Sequence, residues 1–538
     1  MKRLPLYLLS LFTISLFWRI SHSFYQQDEW HGLGDIISNG ITSIFITTND
    51  PLSIALGAGR VGSNLLVYFF YYYFKFNIAP IALFVISLHL GVALLLYHQA
   101  YKITNKKLPA LFSALFFVSN SVSAGSITWP ASGISTISAG LLIVLALCLF
   151  IDYIEKENGN RLKLIFLLLY LSLFFKETAM PFFILLPISS LIFRKISPKH
   201  FIQKYWYFIL FTILAVGYRL VLFKNIETQK DLFLTGASQS YTATLLVRSI
   251  MYPVTSFSLM FFPAAEAFSF AKHLTWIYYP FFDPSLYDLI AQTAVLDTLA
   301  IFLTLIIIFS LFLLFRTANI TTRKQVLLIL GFTLISFLPY VVISKTFSYL
   351  ESRYYYLATA GASLLIAQVL TRLTQVINTK VVKVIYIAFL FLLFVHIREV
   401  RREVTRQVSL GKERLAILEA VTKIKPELSG KNIFYLTGDR NYYISDGNPS
   451  PMQQGMGYTL LVWYTARANA PEELKSLIRD YYLWELNGQG YKEIDGVGYG
   501  YFWDLTQLKE LQKRKDIDIT GLYYNSKEQT IADITNEL

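Results

Sequence analysis

Continuous apolar runs close to twenty residues long are the feature that most restricts this chain. Ile78 to His98, Ile134 to Ile151, Tyr205 to Phe223, Leu289 to Phe315 and Val326 to Ile343 reach or approach the roughly 20 residues a helix needs to cross a hydrocarbon core of about 30 Å. In lipid every backbone N–H and C=O must be satisfied within the spanning structure, which leaves helices or closed barrels. Unbroken Leu/Ile/Phe runs lack the alternation of barrel strands. The expected fold is an all-α polytopic membrane protein, and a soluble reading of the first four hundred residues is excluded.

The basic residues set the expected topology. The formal charge of +13 would suggest nucleic acid as partner for a soluble protein, but the tail beyond Val400 is close to charge-balanced. The surplus therefore belongs to the short loops, and no nucleic-acid partner is expected. Counting Val61 to Phe76 and Thr242 to Phe262 as crossings scatters basic clusters onto both sides. Treating them as interfacial or re-entrant leaves about eleven spans and collects Lys102 to Lys107, Lys156 to Lys163, Arg194 to Lys204, Arg316 to Lys324 and Arg372 to Lys383 on one face. With Met1-Lys2-Arg3 cytoplasmic and Leu4 to Trp18 an uncleaved first span, the segments Phe24 to Arg60, Ser119 to Gly133, Phe175 to Thr178, Lys224 to Asp288 and Lys345 to Arg353 fall outside. The odd span count exports the tail.

The organisation expected is a multi-pass module over 1–399 and a small extracytoplasmic α/β domain over 400–538. In the tail, composition turns mixed and polar, and apolar runs such as Ile433 to Leu436 and Leu460 to Tyr464 are too short to span. Pro471 to Leu483 reads as a helix opening with proline followed by acidic residues. The single cysteine, Cys148, lies inside an apolar run and reads as filler; no intrachain disulfide is possible.

Ionisable residues at the ends of apolar runs are the informative exceptions, because a charge at bilayer depth costs about 2.5 to 3.5 kcal/mol unless it meets a partner or a wet cavity. Asp28-Glu29 follows the first span. One of two adjacent carboxylates can take a proton from an incoming hydroxyl while the other binds a metal or orients an acceptor; the plainer reading is an acidic N-cap for a helix that begins near Gly32. Arg353, ahead of Tyr354-Tyr355-Tyr356, could clamp a lipid phosphate bidentately, or could snorkel in an aromatic belt. Lys176-Glu177 is either a phosphate contact or a tight-turn ion pair. Arg60, Arg219 and His31 are weaker candidates, and His89 and His98 read as packing residues. No Walker loop or His-Glu-x-x-His helix occurs. Asp516-Ile517-Asp518 has the spacing of a metal-nucleotide motif but sits in an alternating stretch that reads as an ordinary exposed strand. Gly496-Val497-Gly498-Tyr499-Gly500 lacks the flanking strand and helix of a dinucleotide fingerprint.

Taken in order, Gln27-Asp28-Glu29-Trp30-His31, Arg60, Ile127-Thr128-Trp129, Phe175-Lys176-Glu177-Thr178-Ala179 and Glu351-Ser352-Arg353-Tyr354-Tyr355-Tyr356-Leu357 resemble the GT-C superfamily of membrane glycosyltransferases. The likeness is to the protein O-mannosyltransferase branch and the tetratricopeptide-bearing transmembrane mannosyltransferases. The chain departs from the latter in having Asp-Glu for two aspartates, Tyr-Tyr-Tyr for Tyr-Leu-Tyr, and no tetratricopeptide periodicity. The resemblance implies an inverting hexosyl or mannosyl transfer from a polyprenyl-phosphate sugar to a glycan, lipid or protein acceptor at the outer face, with membrane lipids around it. It implies Asp28 as the base, Glu29 supporting acceptor or metal, Lys176 and Arg353 with Tyr354, Arg60 and Arg219 at the lipid phosphate, and Glu177 orienting Lys176. No metal is claimed; a divalent ion is left open as cofactor.

The competing class is a transporter or flippase of lipid-linked glycans. It should show inverted repeats and charges at mid-membrane, whereas these charges cluster at one face. A receptor-like protein whose tail does the work would need only one or two spans.

Overall fold

The computed structural model describes residues 4–26, 28–45, 50–155, 159–194, 197–224, 241–278, 286–343, 348–439, 455–481, 483–484 and 488–538. Met1, Lys2, Arg3, Gln27, Lys156 and Lys345, named above, lie outside them. The helices in order are α1 Leu4–Phe17, α2 Asp28–Asn39, α3 Val61–Phe74, α4 Ala79–Thr104, α5 Lys107–Ser119, α6 Pro130–Glu155, α7 Gly159–Leu173, α8 Phe182–Arg194, α9 Pro198–Lys224, α10 Tyr241–Leu259, α11 Ala264–Tyr278, α12 Leu286–Phe315, α13 Ile320–Ile335, α14 Tyr356–Val376, α15 Thr379–Ile424 and α16 Met456–Ala466.

Among the described residues eight helical stretches are long and apolar enough to cross a membrane, or nine if the pair Ala243–Leu259 and Ala264–Thr275, bent by 100°, is one broken span. This is a multi-pass membrane protein. The expectation of about eleven crossings exceeds that number, and α5, α7 and α8, at 13, 15 and 13 residues, make the difference. The bent pair falls on the stretch read as re-entrant. Its break sits before Pro263, whose missing N–H and disfavour for helix at the preceding residue end α10.

The chain divides into two compact units. The first takes in 1–18, 48–63 and 84–403. Its most enclosed spans, Pro130–Glu155 and Ser352–Val376, are 78% and 72% buried, against 17% for Pro198–Arg219, Ala291–Phe315 and Thr379–Ile424. Phe302, Phe309 and Phe312 on α12 and Phe391 and Phe394 on α15 are exposed. In water such surface would drive aggregation; here it is the face a bilayer solvates. Close helix approach at the centre depends on small residues. A Cβ on Gly361 of α14 would meet the Phe332 ring at 3.0 Å on α13, and the Ser363 and Ser113 hydroxyls pair at 2.9 Å between α14 and α5. His89 bonds Tyr356 Oη at 3.1 Å and packs against Phe17 and Phe117, a packing role as its apolar surroundings imply. Cys148 is buried.

The second unit takes in 19–47 and 64–83 as well as 404–538. Its sheet comprises β1 Lys431–Gly438, β2 Gly490–Ile494, β3 Val497–Phe502, β4 Ile517–Asn525 and β5 Thr530–Asp533, in the order β2-β3-β1-β4-β5. The central β1 is parallel to both neighbours, and its Ile433 to Leu436 run is buried throughout, as a strand covered on both faces requires. The small α/β domain read from composition is thus present. Asp516-Ile517-Asp518 opens β4, which lies inside the sheet rather than at its edge. Asp516 is paired with Arg514 and Lys431, and Asp518 with Lys425, so the motif is consumed by ion pairs. The glycine-rich stretch is a hairpin: Asp495 and Gly496 both take positive φ, the signature of a two-residue primed turn. Gly498 and Gly500 leave room for the Tyr491 ring across the strand, within 2.9 Å of where a Cβ would stand. Among the described residues of Pro471 to Leu483 there are a 3₁₀ turn, Glu472–Leu474, and a short helix, Lys475–Arg479, rather than one continuous helix. Tyr481 follows with φ 49°.

Within this unit the backbone of Ser23 and Phe24 crosses α15 at Gly411, where a Cβ would stand 3.0 Å from Ser23 C and 3.1 Å from Ser23 Cα. Backbone cannot rotate aside. Gly411→Ala should therefore lose more to overpacking, about 1–3 kcal/mol, than the roughly 1 kcal/mol alanine gains in helix propensity. A lowered thermal midpoint is expected, while Gly217→Ala on α9, where nothing lies within 4 Å, should leave the midpoint unchanged or raise it.

Candidate functional site

The connection between α7 and α8 carries Lys176, extended at φ −159° and ψ 142°, followed by a 3₁₀ turn over Glu177–Ala179. The extended residue turns the Lys176 side chain inward, where it is 5% exposed. Its Nζ donates to Thr136 Oγ1 of α6 at 2.7 Å and stands 5.6 Å from the Tyr354 ring centre. Burial pushes this ammonium down to about 7; the Glu177 carboxylate opposes the shift, and the Arg60 and Arg353 guanidiniums add to it. Desolvation is the largest cause of the shift, so burial rather than the neighbouring charges sets it.

Arg60 arrives from a tight loop, Gly57-Ala58-Gly59-Arg60, in which Gly57, Gly59 and Arg60 all have positive φ. Gly57 is required there, since a Cβ would also run into Leu173, whose Cδ1 lies at 3.1 Å. The loop follows a short helix, Pro51–Ala55, capped by Asp50 through Leu52 N and Ser53 N, with proline where a helix tolerates it. Arg219 clasps the loop by donating to the carbonyls of Leu56 and Gly57 at 3.2 and 3.1 Å. It is thereby a positioning residue in this geometry. Arg60 in turn grips Glu177 bidentately, Nε–Oε2 at 3.0 Å and Nη2–Oε1 at 2.6 Å. Both side chains are nearly half exposed, so the pair adds little stability, about 0–1 kcal/mol, and serves rather to set the orientation of both groups.

Arg353 lies in the 3₁₀ turn Ser352–Tyr355 that opens α14. Ser352 Oγ accepts from Gly125 N at 2.8 Å and donates to Val122 O at 2.7 Å, and Ser126 Oγ donates to Arg353 O at 3.2 Å. The turn is thereby pinned to the loop preceding α6. The Arg353 guanidinium lies over the rings of Trp129 and Tyr354 at 4.8 and 5.2 Å and pairs with Glu351 at 2.7 Å. Tyr354 stacks on Tyr340 with centroids 4.2 Å apart. The first unit therefore gathers Arg60, Lys176, Glu177, Arg353 and Tyr354 around one spot, with three cations against Glu177 and Glu351. Sequence reasoning missed Thr136 and Tyr340. Thr136 is one of four hydroxyl residues, with Ser132, Ser135 and Ser138, near the start of a long apolar helix, and Tyr340 follows Pro339 in an apolar stretch that gives it no distinguishing mark.

Asp28 and Glu29 belong to the second unit. They open α2 but differ in setting: Asp28 is exposed, while Glu29 is fully buried. Glu29 Oε2 accepts from Gln26 N at 3.1 Å, a side chain inside the first turn reaching back to an orphan donor before the helix; the helix starts at Asp28, four residues ahead of the Gly32 start that the capping reading assumed. One turn on, His31 pairs with Asp35 at 3.2 Å and stacks on Tyr481 at 5.0 Å, whose hydroxyl also bonds Asp35. Burial raises the Asp35 carboxyl above its ordinary value, against the pull of His31 and Tyr481. Among the described residues no three His, Cys, Asp or Glu side chains gather as metal ligands would.

No family model and no curated protein matches the chain. Among solved structures, the crystal structure of ArnT from Cupriavidus metallidurans bound to undecaprenyl phosphate aligns with 96% of this chain and 92% of its own, at 13% identity and a TM-score of 0.36. A superposition that loose carries no argument about chemistry, which has to come from the residues.

Proposed function

We propose that this protein is an inverting glycosyltransferase of the GT-C type, taking a sugar from a polyprenyl-phosphate donor to an acceptor hydroxyl at the outer face of the membrane, with the N-terminus cytoplasmic and the tail extracytoplasmic. The observation that carries the reading is the buried Lys176 between Arg60 and Arg353, with a depressed ammonium pKa and an aromatic wall of Trp129, Tyr340 and Tyr354. Surplus positive charge at the end of apolar helices suits a phosphate whose hydrocarbon tail stays in lipid.

In the proposed reaction the acceptor oxygen attacks the anomeric carbon from the side opposite the phosphate. The bond from that carbon to the phosphate oxygen breaks, and its electron pair leaves on the lipid phosphate. The acceptor proton passes to Asp28. A single displacement inverts the anomeric centre. Lys176 and Arg353 stabilise the charge that grows on the leaving phosphate, and Arg60 holds Glu177, which steers Lys176. The hexose, the acceptor and the resemblance to mannosyltransferases are parts of this proposal. The test is transfer by purified protein from a panel of polyprenyl-phosphate sugars: product with inverted configuration supports the reading. Donor movement across liposomes without transfer would replace it with the flippase.

The lysine gives a second expectation. A bound phosphate raises the Lys176 pKa from about 7, so above that pH the complex holds one more proton than the free protein. Donor-phosphate affinity should be full below pH 7 and fall by up to about tenfold per pH unit above it. Titration with a polyprenyl phosphate between pH 6 and 9 measures this; a flat profile removes Lys176 from the phosphate site.

A further inference from the structure

The other end of α14 borders an apolar groove. The groove, of about 810 Å³, runs between Ile306, Ser310 and Leu314 on α12 and Leu365, Val369 and Leu373 on α14, with Phe389 of α15 closing one side. Its walls are hydrocarbon almost throughout, and Ile306 at its lip is 58% exposed, so it opens to the surrounding lipid. Arg316 and Thr317 line one end. From Ile306 to Arg316 the helix rises about 15 Å, close to half of a hydrocarbon core of about 30 Å. The groove thus has the length of one leaflet, with its polar end where headgroups lie.

That end is cationic. Beside Arg316, the Arg372 guanidinium is held by Thr317 Oγ1 at 2.6 Å, Leu314 O at 3.2 Å and Gln375 Oε1 at 3.3 Å. Lys380 and Lys383 are exposed on the first turns of α15. Neither guanidinium has a carboxylate partner among the described residues. Arg353, by contrast, precedes Leu373 by twenty residues of near-continuous helix, about 30 Å. A polyprenyl phosphate seated on the Lys176 cluster would bring hydrocarbon, not phosphate, to Arg316. The charge at this end calls for a different headgroup.

We infer that this groove binds the acyl chains of an anionic phospholipid of the leaflet on the Arg316 side, its phosphate at Arg316 and Arg372. Arg372 is tied to the loop between α12 and α13, so an occupied site would brace the end of α14. The experiment is native mass spectrometry of the full chain in mild detergent, with extraction and identification of retained lipid. The variants are Val369→Trp and Ser310→Trp, which fill the groove from opposite walls, and Arg316→Gln. Wild type should retain a phospholipid enriched in anionic headgroups. Either tryptophan variant, eluting and melting as wild type does, should lose it. Arg316→Gln should keep a lipid with its anionic preference lowered about fivefold, the worth of one interfacial cation. Lipid retained equally by the folded tryptophan variants, or a retained molecule that proves to be polyprenyl phosphate, would overturn the inference. Should both tryptophan variants fail to fold, an unchanged headgroup preference in Arg316→Gln would do so.

Discussion

Lys176→Met should lower sugar transfer by about 10²–10³-fold while leaving the protein as stable as wild type or more so. The rate loss is the size expected when one preorganised charge facing a leaving oxyanion is removed. Stability moves the other way because the Lys176 ammonium is buried at 5% exposure and its pKa is held near 7 by desolvation first. A shift of that size means the fold bears a cost on the order of several kcal/mol for placing lysine there. Methionine keeps the unbranched stem and removes the charge. The cost to weigh against this is Thr136 Oγ1, which loses the Nζ donor at 2.7 Å, about 1 kcal/mol. A residue kept at such expense and needed for transfer is a functional one. The assay compares single-turnover transfer and thermal midpoint in one preparation. Unchanged transfer would reduce Lys176 to a packing residue, and a large drop in midpoint would reduce it to a structural tie.

The residues that announced themselves in the sequence were those whose burden is high enough to need a reason. A lysine, two glutamates and two arginines at the ends of apolar runs stood out, Arg60 as the weaker candidate, and the first unit does bring Arg60, Lys176, Glu177, Glu351 and Arg353 together. Spans were legible because lipid leaves the backbone so few choices. What stayed hidden was anything set by the packing of neutral groups. Thr136 and Tyr340 carry no local signal. Arg219 could face lipid or protein by position alone, and only the positive-φ loop at Gly57 shows what it holds. The tail read correctly as α/β from its short apolar runs, but not the share of the N-terminal region, 19–47 and 64–83, that packs into the same unit. Such pairing depends on contacts hundreds of residues apart, which period and propensity do not encode.

Asp28→Asn and Glu29→Gln, one residue apart, should fail in different ways. Asp28 is exposed at the first position of α2, so asparagine there keeps shape and solvation and removes only basicity. Transfer should fall by about 10²–10⁴-fold, the usual worth of a positioned general base. Donor-phosphate affinity and thermal midpoint should stay as in wild type, because an amide oxygen can still serve the helix N-terminus. Glu29 is fully buried and its Oε2 takes the Gln26 N–H at 3.1 Å. Glutamine there can still accept that bond but adds two donors to a closed site and removes a buried charge from its neighbours. The expected result is a stability loss of about 1–3 kcal/mol, read as a lowered midpoint, with transfer per folded molecule largely kept. A kcat–pH profile separates the two further: the wild-type acid limb, where a base must be ionised, should vanish in Asp28→Asn and survive in Glu29→Gln. If Asp28→Asn transfers sugar at the wild-type rate, the base lies elsewhere. If Glu29→Gln is the variant that is fully folded and inactive, the two carboxylates exchange the roles given to them here.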